Sequence, residues 1–325
     1  MKIRIKKIIS VILGLLFLGF LAILPTLLIQ STVQGVRLAG KLKNLDNPKN
    51  KNQVQKPIAS IEPIEKEEIF HFLPGSKVYA LAAAEPMNQS TNDKNSNGER
   101  TPAAAIAEAM DAGAAVILTT CSGSGFSCDY SLSLAKLARE NNLRLILVDD
   151  GYISHDRFAD LLPYCAAVKI IFANDSSDFY RHAPDTFANY ALDNISQARQ
   201  SGKHLEIEWR LNPAVDSDND INDLLMQLKN NFASDLILHF SAAENASSST
   251  TILRQAVASA QQAGFKYVYA DGPDFPNGEN TFCPAAGNNS SGLFVAIKRQ
   301  NDFLLQNNLT NGICPDGTAI PGIWK

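Results

Sequence analysis

Seven apolar runs of strand length recur along the chain, at 76–84, 114–120, 143–149, 165–173, 203–211, 236–241 and 266–270. Between them lie six stretches with helical spacing: "TPAAAIAEAMDAG", "DYSLSLAKLARENN", "HDRFADLL", "PDTFANYALDNISQARQSG", "DINDLLMQLKNNF" and "STTILRQAVASAQQAG". Thr101 precedes Pro102 as an N-cap precedes a first helical proline, and Gly113, Gly202 and Gly264 stand where a left-handed residue closes a helix. Regular alternation of strands and helices predicts a parallel sheet. The expected fold is a partial (β/α) barrel of TIM type over 61–270, with a doubly wound open α/β sheet as the alternative that periodicity does not exclude. The last 55 residues, 271–325, lack strong periodicity and read as a wrapped tail rich in Gly and Asn.

One run alternates strictly. In "HLEIEWRLN", Glu206, Glu208 and Arg210 share one face, and Leu205, Ile207, Trp209 and Leu211 share the other. In a barrel the apolar face meets the helices, so the charged face points into the lumen, where charges must be paired. That face reads either as an internal salt-bridge layer or as a ligand pocket. His239, near the end of the apolar run "LILHFS", reads either as a satisfied core histidine or as a further member of the candidate lumen set.

The N-terminus changes the picture. Residues 1–7 are basic (Lys2, Arg4, Lys6, Lys7), and an uninterrupted apolar run follows over 8–29. About 20 helical residues cross a bilayer, whereas a cleaved signal needs an apolar region of only about 7–15 and a small-residue cleavage site. The run therefore predicts one uncleaved transmembrane helix, with 30–60 as a linker and entry segment. The basic residues before the span, weighed against Arg37, Lys41 and Lys43 after it, place the N-terminus inside and the domain outside the cytoplasm.

Of the chain's 29 Lys and Arg, 25 lie beyond the basic start, against 33 Asp and Glu, a net charge of −8 that argues against nucleic acid as a partner. No Ser-His-Asp spacing, P-loop, HExxH or GxGxxG pattern is present. Five cysteines leave at least one unpaired. Cys121 and Cys128 flank "SGSGFS" and read either as a small-loop disulfide or as two separate thiols, while Cys165 begins an apolar strand and reads as a buried thiol.

The string "IEPIEKEEIFHFLPGS" is not explained by propensity. Together with "TPAAAIAEAMDAGAAVILTT", "LAKLARENNLRLILVDDGYI", "LPYCAAVKIIFANDSSDFYR", "HLEIEWRLNP", "LILHFSAAE", "AGFKYVYADG", "ENTFCP" and "AIPGIW", in that order, it resembles the radical S-adenosylmethionine proteins of the AmmeMemoRadiSam group, relatives of pyruvate formate-lyase activating enzymes. The resemblance runs from about Val36 onward and implies a radical-SAM-type partial barrel. In that family the first strand leads into a C-x3-C-x2-C loop holding a [4Fe–4S] cluster. Here the loop reads "AAAEPMNQ", with Ala84 and Met87 near the expected thiolate positions. Alanine and a thioether do not replace thiolates at such a cluster.

Other family positions also differ. "LTTCSGSGFSCDY" has no acidic residue before Asp129, an Asp-Leu-Lys signature is replaced by Ile171-Phe172-Ala173, and the asparagine after strand three is replaced by Asp150, which the resemblance thereby adds to the candidate lumen set. The family's tail carries two C-x-x-C pairs of a zinc ribbon, and here each is reduced to one cysteine, Cys283 and Cys314. The shared metal of the family implies that these two lie close together and pair with each other, with no zinc. Glu206 and His239 match a family glutamate and histidine. The expectation is a membrane-anchored pseudoenzyme without an iron–sulfur cluster, acting as a binding or scaffold protein. S-adenosylmethionine binding without cleavage is compatible with it, and the alternatives are an enzyme with repurposed chemistry in the lumen or a thiol-redox protein.

Overall fold

A computed structural model describes residues 58–82, 100–121, 128–151, 153–173, 187–214, 216–242, 249–270, 272, 275–284 and 294–325. The apolar run at 8–29 and the loop carrying Ala84 and Met87 lie outside the described residues. Among those described, no helix is long and apolar enough to cross a membrane. Residues Gln55–Lys325 form one compact unit that takes in both the strand-helix repeats and the tail.

All seven expected strands form: β2 (Lys77–Ala82), β3 (Val116–Thr120), β4 (Arg144–Asp149), β5 (Ala167–Ala173), β6 (His204–Leu211), β7 (Ile237–Ala242) and β8 (Tyr267–Ala270). They pair in parallel and in chain order. This order contains no reversal point, so the sheet is singly wound, as in a partial (β/α) barrel, and the doubly wound alternative does not describe it. An eighth strand, β1 (Ile58–Pro63), pairs antiparallel with β2, Ile58 opposite Ala82 and Pro63 opposite Lys77. The sheet thus begins inside what the sequence reads as a linker ending at residue 60.

Among the described residues the α-helices are α1 (Pro102–Asp111), α2 (Cys128–Glu140), α3 (His155–Leu161), α4 (Phe187–Gln200), α5 (Asp218–Phe232) and α6 (Ser249–Ala263). Thr101 Oγ1 accepts from Ala104 N at 3.2 Å and caps α1, and Ser217 and Asp220 cap α5 reciprocally. Gly113, Gly202 and Gly264 have φ of 66°, 65° and 93°, a region that costs residues with a Cβ. The helices bury their apolar stripes on one face of the sheet, where Leu205, Ile207, Trp209 and Leu211 meet Ile221, Leu225 and Leu228 of α5.

The opposite face is covered by the chain's own entry segment. After β1 a 3-10 turn (Ile64–Glu67) leads into 68–75, which places Ile64, Ile69 and Phe72 against Val78, Val116 and Ile146 of the sheet. These three side chains are fully buried, each worth about 1.5–3 kcal/mol of apolar transfer. The tail closes over the segment. It forms a small antiparallel sheet of β9 (Thr281–Phe282), β10 (Val295–Gln300) and β11 (Phe303–Asn307). Asn301 and Asp302 make the two-residue turn between β10 and β11, both at positive φ. Further on, Leu73 N donates to Ile323 O at 2.6 Å and Ile323 N to His71 O at 2.8 Å.

Candidate functional site

The alternation in β6 sends Glu206, Glu208 and Arg210 toward the entry segment, and parallel pairing sets Lys169 of β5 beside Glu206 and His239 of β7 beside Glu208. Two layers result. In the inner one, Glu206 is fully buried and accepts four hydrogen bonds. Oε1 takes His71 N at 2.8 Å and His204 Nε2 at 2.8 Å, and Oε2 takes Phe70 N at 2.9 Å and His239 Nε2 at 2.6 Å. Burial raises its pKa, but the hydrogen bonds and charge of His204 and His239 outweigh this and hold the carboxyl well below its usual range. The carboxylate therefore clamps the entry backbone.

His71 continues the layer. Its Nδ1 donates to Pro321 O at 2.7 Å and its Nε2 accepts from Tyr269 Oη at 2.6 Å, while burial pushes its pKa down to about 3, so the ring is neutral. Tyr269 Oη is also hydrogen-bonded to Thr281 Oγ1, at 2.9 Å. Arg299 from β10 donates to Phe70 O at 2.5 Å and to Thr281 Oγ1 at 3.0 Å, and its guanidinium lies 4.4 Å from the Phe70 ring centre. Cys283 and Cys314 sit beside this network, joined in a disulfide with Cα atoms 6.1 Å apart, both buried with Phe70, Tyr267, Tyr269 and Ile320.

The outer layer centres on Glu208. Lys169 Nζ lies 2.6 Å from its Oε2, Arg210 Nε donates to Oε1 at 2.6 Å, and Ser241 Oγ donates to Oε1 at 2.9 Å. Burial raises the Glu208 pKa, and the charges of Lys169 and Arg210 outweigh it, so the carboxyl stays ionised. Lys169 Nζ also donates to Glu67 O at 2.7 Å and lies 3.4 Å from Glu68 Oε2. Arg210 is the open member: its side chain is 49% exposed at the C-terminal end of β6. Asp150, after β4, belongs to this end too: burial lowers the Arg210 pKa, and the charges of Glu208, Glu68 and, last, Asp150 outweigh it.

The expected lumen residues thus fall into two groups, Glu206 with His239 and Glu208 with Arg210, and Asp150 faces the second. Sequence reasoning missed Lys169, His204, His71 and Arg299. The isolated lysine in "AVKIIFA" was a usable signal, since a cation inside an apolar strand requires a carboxylate on the neighbouring strand. Cys121 and Cys128 form a second disulfide with Cα atoms 4.7 Å apart, joining the end of β3 to the start of α2, while Cys165 is free and buried on the helix side. Among the described residues no three His, Cys, Asp or Glu side chains are grouped to hold a metal ion. Among the described residues, Glu206, Glu208, His71 and His239 are engaged by the chain itself, and Arg210 presents a guanidinium suited to an anionic partner.

No family model matches the chain. An uncharacterised protein of Methanocaldococcus jannaschii is 26% identical over 250 residues, which cover 70% of this chain and 73% of that protein. Among solved structures, a domain of pyruvate-formate lyase-activating enzyme from Bacteroides vulgatus is similar at 13% identity and a TM-score of 0.38, covering 47% of this chain and 98% of that domain. The carboxyl transferase domain of pyruvate carboxylase from Rhizobium etli is similar at 15% identity and a TM-score of 0.32, over 48% of this chain and 26% of that one.

Proposed function

We propose that the protein is a non-catalytic binding protein built on a radical-SAM-type barrel, held at a membrane by the run over 8–29 with its domain outside the cytoplasm. The observation that carries this reading is the occupation of the lumen: Glu206 spends all four of its hydrogen bonds on the chain's own entry segment and histidines, and Lys169 and Glu208 are spent on each other. Groups that a barrel enzyme of this kind would turn toward substrate serve here to seat Phe70 and His71. The cysteine inventory supports it. Four of the five are paired and the fifth is buried in the helix-side core, which favours a barrel that offers no three converging thiolates to a cluster. The ligand then meets the mouth of the barrel at Arg210, and an anionic group is the chemistry that a half-exposed guanidinium favours.

The test is anaerobic reconstitution with iron and sulfide, followed by reduction with S-adenosylmethionine. The expected result is no stoichiometric charge-transfer absorbance and no 5′-deoxyadenosine; stoichiometric cluster uptake or formation of that product sinks the reading. For the mouth, small carboxylates and S-adenosylmethionine are titrated by calorimetry against the parent and Arg210→Gln chains. Any ligand found should bind the variant about tenfold or more weakly, as the loss of a charge-assisted contact of about 1.5–3 kcal/mol requires. Equal affinity for the variant removes Arg210 from the binding site.

A further inference from the structure

The two disulfides have opposite characters. Cys283–Cys314 spans 31 residues and is buried at both ends among aromatic rings, with Cys283 N bonded to Phe294 O and Cys314 N to Thr318 O. It is a staple. Cys121–Cys128 spans only 7 residues, and its ends differ: Cys121 is 3% exposed and packed into the helix-side core, whereas Cys128 is only partly buried and is the first residue of the 13-residue helix α2. The first backbone N–H groups of a helix have no intrahelical partner and carry partial positive charge, a setting that favours a thiolate over a thiol. Asp129, the next residue of that turn, points to the surface, where it pairs with Arg157 at 3.2 Å.

From this asymmetry we infer that Cys121–Cys128 is an exchangeable dithiol/disulfide site, with Cys128 as the attacked and attacking sulfur, Cys121 as the buried resolving one, and an external dithiol or protein dithiol as co-reactant. The site stands at the same end of the sheet as Arg210, since β3 to β6 pair in parallel and both positions lie at C-terminal strand ends. In the reducing direction a thiolate of the external dithiol attacks Cys128 Sγ. The Cys121–Cys128 bond breaks, and its electron pair leaves with Cys121 Sγ, which takes up a proton. The second thiol of the co-reactant then attacks its own partner sulfur in the mixed disulfide and expels Cys128 as a thiolate on the first residue of the helix. The external dithiol has lost two electrons and two protons and become a disulfide, and the chain has gained the two electrons, with the second proton on Cys128 or in solvent. Oxidation runs the same steps backward.

The fold tolerates this opening better than it would tolerate loss of the staple. By chain-entropy scaling, a loop about four times shorter changes the folding equilibrium about eightfold less when its bridge is removed. Cys165 does not compete for the chemistry: it is free but buried, and burial pushes its thiol up to about 12.

The experiment uses the full-length oxidised chain in native buffer, treated with dithiothreitol, quenched with iodoacetamide and mapped by mass spectrometry, with circular dichroism recorded in parallel. The expected result is loss of the Cys121–Cys128 bridge alone, both of those cysteines labelled, Cys283–Cys314 retained and the spectrum unchanged. Separately, the Cys121→Ser chain should form a mixed disulfide with 5,5′-dithiobis(2-nitrobenzoate) at Cys128 at least about tenfold faster than Cys128→Ser does at Cys121, because access and thiolate character both favour the helix terminus. The inference is overturned if the Cys121–Cys128 bridge survives until the chain unfolds or opens only together with Cys283–Cys314. Equal labelling of Cys121 and Cys128 in the two variants likewise overturns it. None of these readouts depends on cluster assembly or on a ligand at Arg210, so this inference and the binding reading fail independently.

Discussion

Glu206 is the residue on which most of the lumen turns. Replacing it by Gln keeps the shape but leaves one acceptor oxygen and one donor amide facing four N–H groups. Removing one partner of a buried charged network costs about 3–5 kcal/mol, so Glu206→Gln should lower the unfolding free energy obtained from urea titration by about that amount, whereas exposed Lys66→Gln should leave it unchanged.

Two other buried groups titrate with opposite sign. Asp149 accepts from Gly151 N at 2.9 Å, Ile153 N at 3.3 Å and Asn194 Nδ2 at 2.8 Å, yet burial raises its pKa from 3.8 to about 6. Its contribution is complete below 3.8 and is lost as pH rises through about 6. His71, lowered from 6.5 to about 3, contributes fully above 6.5, and that contribution is lost as pH falls toward 3. Each gives a slope of about 1.4 kcal/mol per pH unit, and between pH 3.8 and 6 the two oppose each other. Asp149→Asn removes one side. Its stability should therefore rise with pH more steeply than the parent's, by about 1.4 kcal/mol per unit, in urea titrations at pH 4.5 and 5.5; parallel lines would refute the assignment.

At the scale of elements, α5 ends in a strained residue. Ala233 has φ 68° and ψ 179°, a region that glycine alone enters readily, and it is exposed, so no packing is lost on substitution. Ala233→Gly should raise stability by about 1–3 kcal/mol, read as a higher urea midpoint with unchanged slope; a neutral or lowered midpoint would count against the strain.

The strands and helices of the repeating units were legible in the sequence because each carries a period, 2 or 3.6, over enough residues to stand above chance. β1 was not, because "IASIEP" is short, ends in proline and earns its place only by pairing with β2. The strands of the tail escaped for a different reason. β9 has two residues, and β11 leaves Phe303 and Leu305 more than half exposed, so hydrophobicity and burial do not coincide there. The one local signal was Asn301-Asp302 between "VAIKRQ" and "FLLQN", a pair suited to a two-residue hairpin turn. The lumen was legible as a charged face on β6, but its partners were not, since Lys169, His71 and Arg299 reach it from elements far apart in the chain.

For the whole molecule, the proposed anchor has a direct test. The full-length protein should remain with membranes after alkaline carbonate washing, while a chain starting at Gln55, which keeps β1 and the compact unit intact, should not. Release of the full-length chain by carbonate would remove the anchor from the reading. A reporter fused at the C-terminus checks the side, and cytoplasmic activity would reverse it.

The closure of the entry segment by the tail also sets a timetable for synthesis. Phe70, His71 and Phe72 emerge from the ribosome early, but His71 is bound by Glu206 from 135 residues further on and by Pro321 from 250 residues further on. The Phe70 carbonyl waits 229 residues for Arg299. At roughly 5–20 residues per second, the last of these partners arrives roughly 12–50 seconds after the segment it secures. Throughout that interval Phe70 and Phe72, both buried in the finished domain, lack the partners that the tail supplies. The beginning of this domain is therefore secured only once its end has been made.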